Sequence, residues 1–275
     1  MDQSRGIRIL RLVHPFPSLV NVALVIGLSL LAGASQSRSL LLGLGMLGLQ
    51  FCIGIVNDLA DAELDARTKP WKPVPSGLVS RQAATVAAVA SGAGGLLAAA
   101  SAGPVPLVLA GLMLGAGLLY DLSLKLTPWA WLCFAIAFPL LPVYAWYGAA
   151  GTLPPRAELL LPLAALAAPA LQLSNGLADF DSDRRGGIAT LATRLGRRRA
   201  VATMAAILFL LHAIAWVTLA GAPTAAVAVS AGATTLAVAG LGLSAGQDDR
   251  RRQAGWTAQA VSLALLGLGW LAAAV

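Results

Sequence analysis

The chain has 275 residues, of which 58% are hydrophobic and only 11% charged, with a mean hydropathy of +0.78 and a net charge of +7. A soluble domain carries roughly a quarter charged residues, so this composition excludes one. Inside a bilayer the backbone must satisfy its own polar groups, which leaves helices or closed barrels; apolar runs of about 20 residues without alternation are helices.

In chain order the runs predict nine membrane helices, at about 13–34, 40–60, 82–101, 104–124, 127–149, 157–178, 200–220, 223–244 and 254–274. The fold class expected is therefore all-α, a polytopic membrane bundle forming a single domain over 1–275. The first run follows three arginines and ends on Ala32-Gly33-Ala34, features shared with a secretory signal peptide. Its length and the prolines at 15 and 17 read instead as a span. Cys52 and Cys133 fall within spans on different helices and read as small apolar fillers.

Nine alternating spans place 17 of the 19 Lys and Arg residues on one side, leaving only Arg38 and Arg156 on the other. The rich side is expected to be cytoplasmic, in a bacterial or archaeal inner (plasma) membrane. Topology and anionic lipid account for the net charge, so no nucleic-acid partner is expected. The triplets Arg197–Arg199 and Arg250–Arg252 read as this topological signal alone.

Seven of the twelve acids occupy two short windows, Asn57-Asp58-Leu59-Ala60-Asp61-Ala62-Glu63-Leu64-Asp65 and Asn175-Gly176-Leu177-Ala178-Asp179-Phe180-Asp181-Ser182-Asp183. Both windows have Asn, Leu-Ala, an Asp at +4, an acid at +6 and an Asp at +8. They form an internal repeat 118 residues apart, in two pseudo-repeated halves with motifs at 57–65 and 175–183. On a helix, positions i, i+4 and i+8 share one stripe, which aligns Asn57, Asp61 and Asp65, and likewise Asn175, Asp179 and Asp183. Carboxylates at that spacing repel unless a cation lies between them, and hard oxygen ligands suit Mg²⁺ shared with phosphate. The expected metal ligands are Asn57, Asp61, Asp65, Asp179 and Asp183. Three rival readings are weaker. Solvated helix ends do not explain two matching strings. A calcium loop starting at Asp179 fails where Arg184 replaces Gly and Thr190 replaces Glu. A proton- or sodium-coupled transporter would carry its acids near mid-span.

The first string runs into Arg67-Thr68-Lys69-Pro70-Trp71-Lys72-Pro73-Val74-Pro75-Ser76-Gly77, whose prolines and glycine predict a structured loop carrying Arg67, Lys69 and Lys72 over the site. Arg184, Arg185 and Arg194 follow the second string. Tyr120-Asp121-Leu122-Ser123-Leu124-Lys125 is expected as a short loop on the same face. Tyr144, Trp146 and Tyr147 read as an interfacial belt or, alternatively, as rings lining an apolar cavity. His14 and His212 have no partner spacing and read as structural.

These motifs resemble the UbiA superfamily of intramembrane prenyltransferases. The first string is similar to its N-D-x-x-D-x-x-x-D motif at Asn57, Asp58, Asp61 and Asp65, continued by the proline-rich segment from Lys69 to Gly77. The second resembles its D-x-x-x-D motif at Asp179 and Asp183, with the G-I-x-T-L-x-x-R-L-G string from Gly187 to Gly196; Tyr120 and Lys125 resemble its tyrosine-and-lysine loop. Two positions depart from the pattern: Gly176 stands where many members carry Asp, and Lys72 where Arg is commoner.

The resemblance implies a bundle around a central cavity and Mg²⁺-dependent transfer of a prenyl group from an allylic diphosphate to a small lipophilic or aromatic acceptor, commonly an aromatic acid or phenol as in quinone biosynthesis. Asp61, Asp65, Asp179, Asp183 and Lys125 would then be catalytic, and Asn57, Asp58, Arg67, Lys72, Tyr120, Lys125, Asn175 and Asp181 would bind substrate. Asp58 or Asp65 is also the candidate proton acceptor. The rival within the same chemistry is an intramembrane terpene cyclase, which needs no acceptor.

Overall fold

The computed structural model describes residues 5–275, apart from the side chains of Arg5, Ile7 and Arg8. Of the charges counted above, Asp2 and the side chains of Arg5 and Arg8 lie outside the described residues. Every regular element among the described residues is helical: α1 (Arg5–Leu10), a 3-10 turn (Arg11–Val13), α2 (Pro15–Leu31), α3 (Gln36–Ala60), α4 (Ala62–Thr68), α5 (Arg81–Ala102), α6 (Pro104–Leu119), a π-helical turn (Tyr120–Leu124), α7 (Trp131–Ala150), α8 (Ala157–Ala178), α9 (Phe180–Arg185), α10 (Leu191–Leu195), α11 (Arg197–Thr218), α12 (Thr224–Ser244) and α13 (Asp249–Ala272).

Among the described residues, eight helices are long and apolar enough to cross a membrane. The first of the nine predicted spans is a shorter apolar helix of 17 residues, α2. Pro15 at its N-terminus suits a first-turn position that needs no N–H donor. The protein is an integral, multi-pass membrane protein. One expected loop is absent: α6 runs on through the π turn at Tyr120–Leu124, so the polar interruption is a wider helical turn.

The chain divides into two compact units, residues 1–122 with 143–151, and residues 123–142 with 152–275. In the first, α3 and α5 touch backbone to backbone. A Cβ at Gly48 would lie 2.6 Å from the Ser91 carbonyl oxygen, and one at Gly95 would lie 2.8 Å from that of Gly45. Small residues permit this approach, the usual device of helix packing in lipid. Tyr144, with no exposed surface, donates its hydroxyl to the Leu42 carbonyl at 3.1 Å, and Trp146 is buried too. Both are therefore packed inside the protein and do not form a lipid-interface belt.

In the second unit, α12 and α13 pack through a face of α13 that repeats every three and four residues: Arg252, Gly255, Gln259, Ser262, Leu266 and Gly269 are all buried. Gln259 donates to the Ala237 carbonyl at 2.9 Å and Ser262 to that of Ala233 at 2.8 Å, a polar fastening between apolar helices. A second core joins Leu173, Leu177 and Phe180 to Ala192, Met204 and Leu208.

The repeat also extends beyond the acids. Arg38 and Arg156 are 118 residues apart, and each donates to a carbonyl at the C-terminal end of a helix in its own unit. Arg38 bonds Ala102 of α5, as well as Gly148 at 2.8 Å, and Arg156 bonds Thr218 of α11 at 3.3 Å while lying 5.7 Å from the Trp270 ring. A guanidinium at a helix C-terminus meets both the orphaned carbonyls and the negative end of the dipole.

Candidate functional site

Both acid strings share one backbone device. Helix α3 stops at Ala60, Asp61 forms a one-residue joint, and α4 resumes at Ala62; α8 stops at Ala178, Asp179 forms the joint, and α9 resumes at Phe180. The single continuous stripe expected from the spacing is thus broken at its central Asp. The i to i−4 bonding passes through the joint in the first string, whereas in the second the Asp179 amide turns to the Leu177 carbonyl and the pattern resumes at Asp183. The Asp61 amide donates to the Asn57 carbonyl at 3.0 Å and that of Asp65 to the Asp61 carbonyl at 2.7 Å, while the Asp183 amide donates to the Asp179 carbonyl at 2.9 Å. Asp61 and Asp65, and equally Asp179 and Asp183, therefore stay on successive turns.

Around the first string the side chains form a charged network. Lys72 Nζ donates to Asp58 at 2.9 Å and to Asp65 at 2.7 Å, and His14 Nε2 lies 3.1 Å from the same Asp58 oxygen. Asp58 and Asp65 are almost fully buried, at 1% and 3% exposure. Two buried carboxylates are tolerable only with such cationic partners. Burial opposes the charge on Lys72, but the hydrogen bond to Asp65 and the charge of Asp58 outweigh it and hold its ammonium pKa above the ordinary value.

The proline-rich segment is structured as expected. Val74 joins the core of α3 and α5 residues, Gly77 takes a positive φ of 72° at the turn, and the Val79 amide returns to the Pro73 carbonyl at 3.1 Å. The Arg11 guanidinium sits 5.0 Å from the Trp71 ring. Asn57 donates to Asp121 at 2.6 Å, so the π turn meets the string through Asp121, which sequence reasoning passed over. Tyr120 and Asp61 are half-buried and Arg67 is exposed on α4; Lys125, in the second unit, is half-buried.

The second string is held differently. Arg197 Nη2 binds both oxygens of Asp181 at 3.0 Å, and Arg252 Nη2 binds Oδ2 at 2.7 Å. Partial desolvation works the other way, yet the hydrogen bond from Arg252 and the charge of Arg197 keep the Asp181 carboxyl below the usual carboxylate range. Arg197 and Arg252, read from sequence as topological charges, are thus specific partners of an acid in the string. Asp179 is exposed, Asp183 and Asn175 half-buried. Asp179 and Ser182 line an open cavity of about 390 Å³ with Asp249, Arg250 and Gln253 of α13.

Gly176 also has a local reason. A Cβ there would lie 2.9 Å from the Ala192 Cβ, so the bare glycine lets α10 cross against α8. The segment carrying α10 is shaped by Gly187 (φ 67°), by Thr190 accepting the Thr193 amide at 3.3 Å, and by Gly196 (φ 75°). No group of three His, Cys, Asp or Glu side chains among the described residues is gathered to hold a metal ion. The donor set still suits a hard divalent cation of the Mg²⁺ kind, which keeps several waters and takes one or two carboxylates together with phosphate oxygens.

Similarity to known proteins bears on this arrangement. Over 150 residues the chain is 35% identical to a digeranylgeranylglyceryl phosphate synthase of Methanoregula boonei, a stretch covering 53% of this chain and 52% of that one, so it spans about half the length of the curated relative it matches. In fold it is similar to a UbiA homologue of Aeropyrum pernix in its apo form, with a TM-score of 0.74 at 19% identity over 92% of this chain and 96% of the other. It is similar as well to a UbiA homologue of Archaeoglobus fulgidus bound to DMAPP and Mg²⁺, with a TM-score of 0.66 at 20% identity over 78% of each chain. The model of the UbiA prenyltransferase family matches residues 19–266, nearly the whole chain, and the protein therefore belongs to that family.

Proposed function

We propose that the protein catalyses Mg²⁺-dependent transfer of a prenyl group from an allylic prenyl diphosphate to an acceptor, at the cytoplasmic face of the membrane. The observation that supports this best is the pair of acid strings with one residue pattern and a backbone joint at the same position, Asp61 and Asp179, within a member of this family.

Asn57, Asp61, Asp65, Asp179 and Asp183 are the residues that would hold Mg²⁺, which when bound neutralises the diphosphate and improves it as a leaving group. Arg67, Lys72 and Lys125 would donate charge-assisted hydrogen bonds to phosphate oxygens, and Tyr120 and Asn175 would add further polar contacts to the substrate. The bond between the prenyl C1 and the diphosphate oxygen breaks, with its electron pair leaving on diphosphate. The acceptor's nucleophilic atom bonds to C1, and its proton passes to a carboxylate of the first string, Asp58 or Asp65.

The name of the Methanoregula relative favours a prenylated glyceryl phosphate as acceptor over the aromatic acid or phenol that family resemblance alone implies. Purified protein incubated with geranylgeranyl diphosphate and Mg²⁺, and with geranylgeranylglyceryl phosphate, a hydroxybenzoic acid or no acceptor, tests the reading by product mass spectrometry. A doubly prenylated glyceryl phosphate is expected. Prenylated aromatic product would move the acceptor class, hydrocarbon without acceptor would indicate a terpene cyclase, and no product with any acceptor would refute the proposal.

A further inference from the structure

We infer that Arg252 is a positioning residue for the second acid string, gripping Asp181 and so setting the turn that presents Asp179 and Asp183; the inference rests on reading those two carboxylates as ligands of the metal and diphosphate. Arg252 has no exposed surface, whereas Arg250 and Arg251 beside it are exposed. A guanidinium taken out of water is costly unless it is paired, as both terminal nitrogens of Arg252 are, and nothing in the apolar packing of α12 on α13 calls for a cation.

Its partners say what it does. Nη1 donates to the Gln247 carbonyl at 2.8 Å and to that of Gly246 at 3.3 Å, fixing it to the turn between α12 and α13. Nη2 contacts Asp249 and donates to Asp181 at 2.7 Å. The guanidinium thus ties the start of α13 to α9. Arg197 completes the grip, bonding both oxygens of the same carboxylate and lying 5.3 Å from the Phe180 ring.

The placement of Asp181 makes this grip matter. It lies between Asp179 and Asp183, two residues from each, so fastening its side chain fixes the short stretch of backbone that carries both neighbours. Helix α9 has only six residues and ends at Gly186-Gly187. A helix that short does not hold its shape alone. Two guanidiniums on one carboxylate supply the missing rigidity, and the preorganisation of Asp179 and Asp183 follows from it.

The test uses the full chain in nanodiscs and reads the Mg²⁺ concentration needed for half-maximal binding of radiolabelled geranylgeranyl diphosphate. Asp181→Asn and Arg252→Gln are each expected to raise that concentration about tenfold, and the double variant no further, because both break one coupled contact. Arg252→Lys should recover part of the loss, since a point charge replaces only part of a guanidinium fork. Arg251→Gln, which removes an exposed pair with Asp248, should leave the Mg²⁺ requirement unchanged. Amide exchange over Phe180–Arg185 should quicken at least about tenfold in Asp181→Asn. If Arg252→Gln does not fold, Asp181→Asn carries both measurements. An unchanged Mg²⁺ requirement with unchanged exchange, or losses that simply add in the double variant, would overturn the inference. Wild-type protein showing no Mg²⁺-dependent binding would refute the functional reading instead, and the exchange measurement would still decide the grip.

Discussion

The two acid strings share a residue pattern and a backbone joint, yet each is anchored at a different position. In the first the anchor is Asp58, one residue after Asn57, which is buried and bound to Lys72 and His14, while Glu63 further along is exposed. In the second, Asp58's counterpart is Gly176, covered by Ala192 of α10, and Glu63's counterpart Asp181 is gripped by Arg197 and Arg252. What the two strings share is the pair of acids on successive turns, and what they do not share is what holds that pair in place. In the proposed function the shared pair carries the metal chemistry, and the positions that differ hold that pair in place.

The largest effect should come from the shared positions. Asp61→Asn and Asp179→Asn each remove a proposed metal ligand, a loss of several kcal/mol of leaving-group stabilisation, so transfer should fall on the order of a thousandfold in either variant. A Glu63→Gln variant made alongside them should change the rate by less than about twofold, as an exposed acid with a surface role would. Unequal losses at Asp61 and Asp179 would break the equivalence of the strings.

Next in size is the anchor of the first string. Lys72→Met leaves Asp58 and Asp65 buried without their main cation, and should destabilise the protein by roughly 3–5 kcal/mol, read as a lowered unfolding midpoint. Adding Asp58→Asn to that variant should recover part of the loss. Smaller still is Gly176→Ala, whose Cβ meets Ala192: a cost of about 1–3 kcal/mol is expected from overpacking, largely relieved by Ala192→Gly in the same chain.

The smallest effect concerns pH. The Asp181 carboxyl is held below its ordinary value, so its grip contributes stability above an unfolded-state pKa of about 3.9 and loses it as pH falls through the lower folded value. Asp181→Asn should therefore be less stable than wild type near neutral pH, and the difference should shrink below about pH 4.

Much of this was legible from sequence because hydropathy and repetition are local signals. The helix runs, the 118-residue repeat and the structured segment after Thr68 all came from residue types and spacing. The joint at Asp61 and Asp179 was not legible, since i, i+4, i+8 spacing looks the same on a continuous helix and on one with a single-residue break. His14 is 44 residues from Asp58, and only folding brings them together. Arg252 was hidden inside a triplet that looks like a topological signal, although it does begin the series Arg252, Gly255, Gln259, Ser262 that marks the buried face of α13. That spacing, and not the charge, separates Arg252 from Arg250 and Arg251. Glycine at 176 could be seen as a departure, but the helix that crosses it could not.

The most direct test of the account is a single assay of labelled geranylgeranyl diphosphate with acceptor, comparing wild-type protein, Asp61→Asn and Asp179→Asn with Mg²⁺ present and with Mg²⁺ removed by EDTA. Labelled product is expected only from wild type with Mg²⁺. Product formed in EDTA, or a wild-type rate from either variant, would contradict the claim that both strings hold one metal-dependent diphosphate chemistry.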